Sequence, residues 1–301
     1  MSTRITDSMT SRLVLSDIEN VSSQLSKTQQ RLSSGKQLTA PSDDPFGTSR
    51  ALLYRSEVAS NQQYQKNVDD ANSWQTVTDT ALNEVGKYAL LARDRIVQGA
   101  NGALDQTGRD SIASELDQII DSIKTEANTQ YAGRFVFAGS ATQTAPYVLG
   151  GTPPDDTYKG NSDQLVRQIG LGVQVPINIT ADDGSGTGVI SGLIAQLRQA
   201  AADLRSGNVA ALGNGDLKGL DTAKDAVTTA RAVVGARTNR LDAASDRLQQ
   251  LEETSTKLLS DTEDADMAQT MIDYSMQSSV YQAALKSGAN LIQPSLLDFL
   301  N

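Results

Sequence analysis

Hydrophobic positions along this chain recur mostly at alternating intervals of four and three, the spacing that lays one narrow apolar stripe along an α-helix. From Val14 the stripe runs through Ile18, Val21, Leu25, Thr28 and Leu32, and Gly35 then offers a stop able to take positive φ. The segment Thr39-Ala-Pro-Ser-Asp-Asp-Pro45 reads as a linker, with Asp44 as N-cap and Pro45 as the first residue of the next helix. That helix is predicted to reach about Ala100, because Val68, Ala71, Gln75, Thr78, Leu82, Val85, Ala89, Ala92 and Ile96 hold the heptad without a break. Asn101-Gly102 marks a turn. Ile112, Leu116, Ile119, Ile123 and Ala127 then predict a shorter helix after Thr107, antiparallel to its predecessor.

Past Tyr131 the pattern changes. Arg134-Phe-Val-Phe-Ala-Gly139 is β-prone, and Leu165 to Ile169 and Val173 to Ile179 read as two short strands among recurrent Gly, Pro and Asp. Helical spacing returns from Val189 to about Arg205. It resumes from about Leu217 to Leu258, with Val227, Ala230, Val234, Leu241, Ala244, Leu248, Leu251 and Leu258 as its seam. The last helix carries Met267, Met271, Tyr274, Ser278, Tyr281, Leu285, Gly288 and Ile292, followed by Leu296-Leu-Asp-Phe-Leu300. The fold class expected is therefore mainly α: a long antiparallel coiled-coil rod formed by both chain ends, with a small β-rich insert at 146–188. A helix with one narrow stripe cannot recover its ordering cost alone, so both ends are expected to order when they meet partners. The residues expected to form that assembly seam are Val14, Ile18, Val21, Leu25 and Leu32 near one end and Met271, Tyr274, Tyr281, Leu285 and Ile292 near the other.

Composition narrows the function. Aromatic residues make up only 4% of the 301, too few to fill a wide interior and better suited to narrow helix seams. A formal charge of -10, with no dense basic cluster, argues against binding nucleic acid or anionic membranes. The chain contains no His and no Cys, which removes imidazole bases, thiolate nucleophiles, disulfides and His- or Cys-based zinc sites. No catalytic residue, cofactor or metal is therefore expected. An enzyme would have to rest on carboxylates or a Ser-Lys pair, and no pocket signal accompanies either. Met1 to Arg12 lacks the apolar core of a secretory signal, and no apolar run is long enough to span a bilayer, so an exported chain would need another route.

Several local signals have plainer readings. Asp43-Asp44 is better taken as a helix cap than as a metal site, given the flanking prolines. Gly184-Ser-Gly-Thr-Gly188 lacks the lysine of a phosphate-binding loop and reads as a turn. Asn178-Ile-Thr180 matches a glycosylation sequon, a pattern common by chance. Met267, Met271 and Met276 form a candidate partner-binding face, since methionine adapts to irregular surfaces. Trp74 is read as a packing residue.

Gln30-Arg-Leu-Ser-Ser-Gly-Lys36, Ala81-Leu-Asn-Glu84 and Val97-Gln-Gly-Ala-Asn-Gly102 resemble, in order and separation, the N-terminal region of the flagellin superfamily. That resemblance implies an inner-tube domain from 1–40 and 261–301, a helical rod from 41–145 and 189–260, and an outward-facing insert. Leu38-Thr-Ala-Pro-Ser-Asp-Asp-Pro45, Phe135-Val-Phe-Ala-Gly139 and Leu296-Leu-Asp-Phe-Leu300 look more like the hook-associated members than like filament flagellin. The partners so implied are hook-associated protein 1, flagellin, further copies of this chain in a junction layer, and a cytoplasmic export chaperone at the C-terminal helix. Export through the flagellar type III channel to an extracellular position is implied as well. Filament flagellin itself, or a secreted adhesin displaying 146–188 on a helical stalk, are the rival readings.

Overall fold

Asp44 starts the long second helix as its position before Pro45 suggests: its Oδ1 accepts from the backbone N–H of Phe46 and of Gly47, both at 3.0 Å. The computed structural model describes residues 7–151, 154–182 and 188–292, with the backbone alone for 7, 8, 10, 11 and 290–292. Its helices are α1 (Asp7–Ser34), α2 (Pro45–Gly99), α3 (Gln106–Ala127), α4 (Ser191–Ser206), the single turn α5 (Val209–Ala211), α6 (Leu217–Glu263) and α7 (Met267–Ile292). Two hairpins complete the fold: β1 (Gln130–Tyr131) with β2 (Arg134–Phe135), and β3 (Val166–Gly170) with β4 (Val173–Pro176). A π-helical turn, Leu212–Asp216, joins α5 to α6. Gly35 ends α1 with φ +68°, as its placement predicts. Asp105, rather than Thr107, opens α3, accepting from Gly108 N at 2.9 Å.

The chain forms two compact units, 1–60 with 251–301 and 61–250. In the larger unit, all nine α2 positions on the predicted heptad from Val68 to Ile96 are buried. So are the five predicted on α3, together with Leu193, Ile194, Leu197 and Leu204 of α4 and Val227, Val234, Leu241 and Leu248 of α6. Alanines such as Ala71, Ala89 and Ala92 let the helix axes approach closely, which is how a chain poor in aromatics fills its core. Ion pairs confirm that α2 and α6 run antiparallel: Arg231 Nε lies 2.9 Å from Asp79, and Arg93 Nε 3.0 Å from Asp221. Leu251 and Leu258, placed in the seam by their spacing, are exposed; both fall in the smaller unit, where Ser255 is the buried residue between them on α6.

Of the β-prone stretch after Tyr131, only Arg134–Phe135 forms a strand. Val136, Phe137 and Ala138 instead turn into the core, and Gly139 has φ +69°, where an added Cβ would lie 2.1 Å from the Asn161 carbonyl. Trp74 is buried and meets Tyr131 edge-on at 5.9 Å between ring centres. The β3–β4 hairpin is fastened to the helices by polar bonds: Arg167 to Asp70 at 2.9 Å, Gln75 Nε2 to Ile177 O at 3.0 Å, and Arg237 Nη1 to Asn178 O at 2.7 Å. Asn178 is itself buried, accepting from Leu165 N and donating to Asp163 O, both at 2.9 Å. Its amide is thus consumed in holding the hairpin, which removes it as a glycosylation acceptor in the folded chain. Residues 183–187 of the glycine-rich turn lie outside the described residues.

A charged cluster fixes the segment before β3 to α3 and α4. Lys124 is fully buried, with Nζ 2.5 Å from Asp156 and 3.1 Å from the Asp155 carbonyl. Arg198 reaches Asp156 at 2.7 Å and Asp117 at 2.5 Å, and Arg205 also bonds Asp117. Burial pushes the Asp156 carboxyl upward, but hydrogen bonds from Arg198 and Lys124 and their charges outweigh this and hold it below the ordinary carboxylate range. A depressed folded-state pKa contributes stability that is present above the unfolded value and is lost as pH falls through the folded one. Thermal stability of the larger unit should therefore be flat from neutral pH down to about 5 and drop below about pH 4, where free carboxylates begin to protonate. Melting curves across that range check it, and a unit indifferent to pH 3 would remove the cluster from the account.

Candidate assembly surface

The smaller unit pairs the two ends of the chain. α1 and α7 pack on each other in antiparallel fashion, Thr28 meeting Gln277 and Gly288 meeting Val14 and Ile18. Below them the α1–α2 linker is clipped to the α6–α7 connection: Gln37 N–H donates to Glu263 O at 2.7 Å, and Ala265 N–H donates to Gly35 O at 2.9 Å. Inside this clip Glu263 is buried, bonded by Arg55, with Lys36 at 3.3 Å from it and at 2.7 Å from Asp264. Periodicity gave no sign of this carboxylate, because the Arg55 that neutralises it stands 208 residues away along the chain.

The predicted seam residues divide into two sets. Val14, Ile18, Val21, Leu25 and Leu32 are half-buried, Thr28 between them is buried, and the intervening positions are mostly exposed, so the α1 stripe is the face turned to α7. On α7, Tyr274 and Tyr281 are half-buried against α1. Met271 and Leu285 are exposed, at 60% and 44%, and so point away from it. Ile292 ends α7, and its side chain lies outside the described residues. Gly288 and Ser278, both on the predicted stripe, are buried and half-buried, and the seam is completed by Thr270, Gln277 and Ala284, which hydrophobicity alone passes over because they are polar or small.

What remains uncovered is a set of large apolar side chains. Met267, Met271, Ile272, Met276, Val280 and Leu285 of α7 are exposed, as are Met9, Leu13 and Leu15 of α1 and Phe46, Leu52 and Leu53 at the start of α2. Two paired helices present too thin a layer to bury more than one face each. Large apolar side chains exposed in this number on a protein otherwise rich in Ser, Thr, Gln and Asp point to an interaction site. No group of three or more acidic side chains placed to hold a metal occurs among the described residues.

Two family profiles cover most of the chain: the bacterial flagellin N-terminal helical region matches residues 5–142, and the bacterial flagellin C-terminal helical region matches 217–300. The chain belongs to the flagellin superfamily. Flagellar hook-associated protein 3 of Escherichia coli K12 is 27% identical over 90% of this chain and 91% of its own length. Flagellin of Bacillus subtilis 168 is likewise 27% identical, over 99% of both chains. Among solved structures, a Vibrio parahaemolyticus protein described as a flagellar hook-associated protein superposes with a TM-score of 0.65 at 28% identity, covering 74% of this chain and all of its own. The chain is accordingly a structural component of the bacterial flagellum, and its mainly helical fold with a small β insert is that of its family. The N-terminal profile spans α1 to β2 and the C-terminal one α6 and α7. The unmatched stretch between them is where the hairpin β3–β4 stands, so the surface just described sits within the shared part of the molecule.

Proposed function

We propose that this chain is an adaptor in the junction between hook and filament, added to a layer of hook-associated protein 1 and presenting to flagellin the end on which the filament grows. The observation that carries the reading is the division of α7 into a face occupied by α1 and an apolar face left uncovered. A subunit built this way completes its burial only among neighbours, and each fully buried Leu, Ile or Met contributes roughly 1.5 to 3 kcal/mol. Addition therefore depends on a preformed end. The 28% identity to a hook-associated protein over the whole of that protein supports the junction over other positions in the flagellum. The inner-tube and rod boundaries at 40 and 261, copies of this chain as lateral neighbours, export through the type III channel, and chaperone contact at α7 belong to the same proposal.

Cells lacking this chain test it. Hooks should be complete, filaments absent, and flagellin free in the medium, because a tube missing one layer presents no matching end for the next subunit. Normal filaments on such cells would overturn the reading, and loss of flagellin export would point to a secretion component instead. The second reading, filament flagellin, is favoured by the full-length similarity to the Bacillus subtilis protein. An epitope tag on the β3–β4 hairpin separates the two: label confined to the filament base supports the junction, whereas label along the filament makes the chain a flagellin.

A further inference from the structure

Around α7, a central file of Tyr274, Tyr281 and Gly288 is flanked by two others at heptad spacing. One flank holds Thr270, Gln277 and Ala284, and the other Met271, Ser278 and Leu285. By apolar area the second flank should face the Val, Ile and Leu stripe of α1. Instead the first one does: Thr270 is buried and Gln277 and Ala284 are half-buried, whereas on the second flank only the small Ser278 is half-buried and Met271 and Leu285 stand in the open. What compensates is a polar contact inside the seam. Thr28, 7% exposed on α1, donates from its hydroxyl to Oε1 of Gln277 at 2.8 Å, and the Thr28 hydroxyl oxygen also lies 3.0 Å from the Gln24 carbonyl of its own helix. At the far end of the seam the helices come close over Gly288, where an added Cβ would lie 3.1 Å from Ile18 and 3.3 Å from Val14.

We propose that the Thr28–Gln277 hydrogen bond selects which flank of α7 turns toward α1, and thereby keeps the Met271–Leu285 flank free. Hydrophobic burial is non-directional and would accept either flank, since both share the central file. A polar group inside a helix seam is directional: with its partner it is satisfied, and without it the half-buried amide loses its hydrogen bond and favours a rotation that returns it fully to water. Thr28 thus acts as a specificity-determining residue for the pairing of the chain ends. Its consequence for assembly rests on the proposed function, but the flank selection itself does not.

The absence of native cysteine allows a direct test in the full chain. Counting seven residues from the Thr28–Gln277 contact along each antiparallel helix puts Val21 level with Ala284, and positions 284 and 285 differ by about 100° around α7. Two paired variants, Val21→Cys with Ala284→Cys and Val21→Cys with Leu285→Cys, are oxidised in dilute solution and the intramolecular disulfide is quantified. The first pair should close in large excess over the second, which forms only as a minor product. Adding Thr28→Val should lower the ratio of the first product to the second by about tenfold, the size of effect that losing one hydrogen bond produces. Adding Gln277→Leu to Thr28→Val should restore it, because the occupied flank is then apolar. A ratio unmoved by Thr28→Val, or loss of both disulfides together, would overturn the proposal: the first result places flank choice elsewhere, and the second makes the bond a general stabiliser. Incorporation of the cysteine-free Thr28→Val chain into flagella is a separate measurement. A shifted ratio with normal incorporation leaves flank selection standing and sinks the reading of the free flank as a docking face.

Discussion

Leu25→Asp should abolish incorporation into the flagellum and at the same time unpair the chain ends of the monomer, leaving the larger unit's melting transition in place. Leu25 is half-buried on the α1 face turned to α7, so a carboxylate there must shed water without a cationic partner, at a cost of roughly 2 to 3 kcal/mol. α1 and α7 are 28 and 26 residues long, each with one narrow stripe, and such helices are marginal when their partner is lost. Far-UV circular dichroism should register the loss of helix. Leu285→Asp offers the informative contrast. That side chain is exposed in the monomer, so helicity and melting should stay as they are, whereas incorporation should fall about a hundredfold if the uncovered flank is buried in the assembled state. Normal assembly of the Leu285 variant would place the subunit contact on another face. Normal helicity of the Leu25 variant would mean that the α1–α7 pair is not held by its stripe.

The second large effect is expected in the larger unit. Asp156→Ala removes the closest countercharge of Lys124, whose ammonium is fully buried, and leaves it with the Asp155 carbonyl and the more distant Asp121 at 4.0 Å. Stranding a buried charge costs about 3 kcal/mol even with some hydrogen bonding retained, which corresponds to roughly 6–12 °C in the transition of a unit of this size. Lys124→Met is the control, because it removes the charge along with the need for a partner and keeps the aliphatic bulk. Asp156 then still has Arg198, so the change should stay within about 1 kcal/mol of the parent. Calorimetry on the two variants decides the point. Equal losses for both would show that the cluster acts through its packing and not through its charge.

These expectations separate what one dimension could show from what required three. Heptad spacing made the long helices, the α2 and α3 core positions and the face α1 turns to α7 legible in advance, because 3.6-residue periodicity is a local property of the chain and burial follows it wherever a helix has one apolar side. Asp44, Pro45 and Gly35 marked helix ends correctly for the same reason: capping and positive φ involve residues only a few positions apart. The resemblance to flagellins rested on local motifs of this kind. The orientation of α7 was not legible. Two heptad files compete there, and the less apolar one faces α1 through a hydrogen bond between residues 249 positions apart. Nor could spacing show that Val136 to Ala138 would abandon a strand to fill the core, that Asn178 would serve the hairpin, or that Lys124 and Glu263 would be buried ion-pair centres. Each depends on partners supplied by distant elements, and only their packing decides whether an apolar residue is covered or a charge is matched. The sequence by itself determined which segments are helical and which side of most of them is apolar. The tertiary structure decided which apolar side is used within the subunit and which is left exposed, because hydrophobic burial is indifferent to direction and a single well-placed polar contact is not.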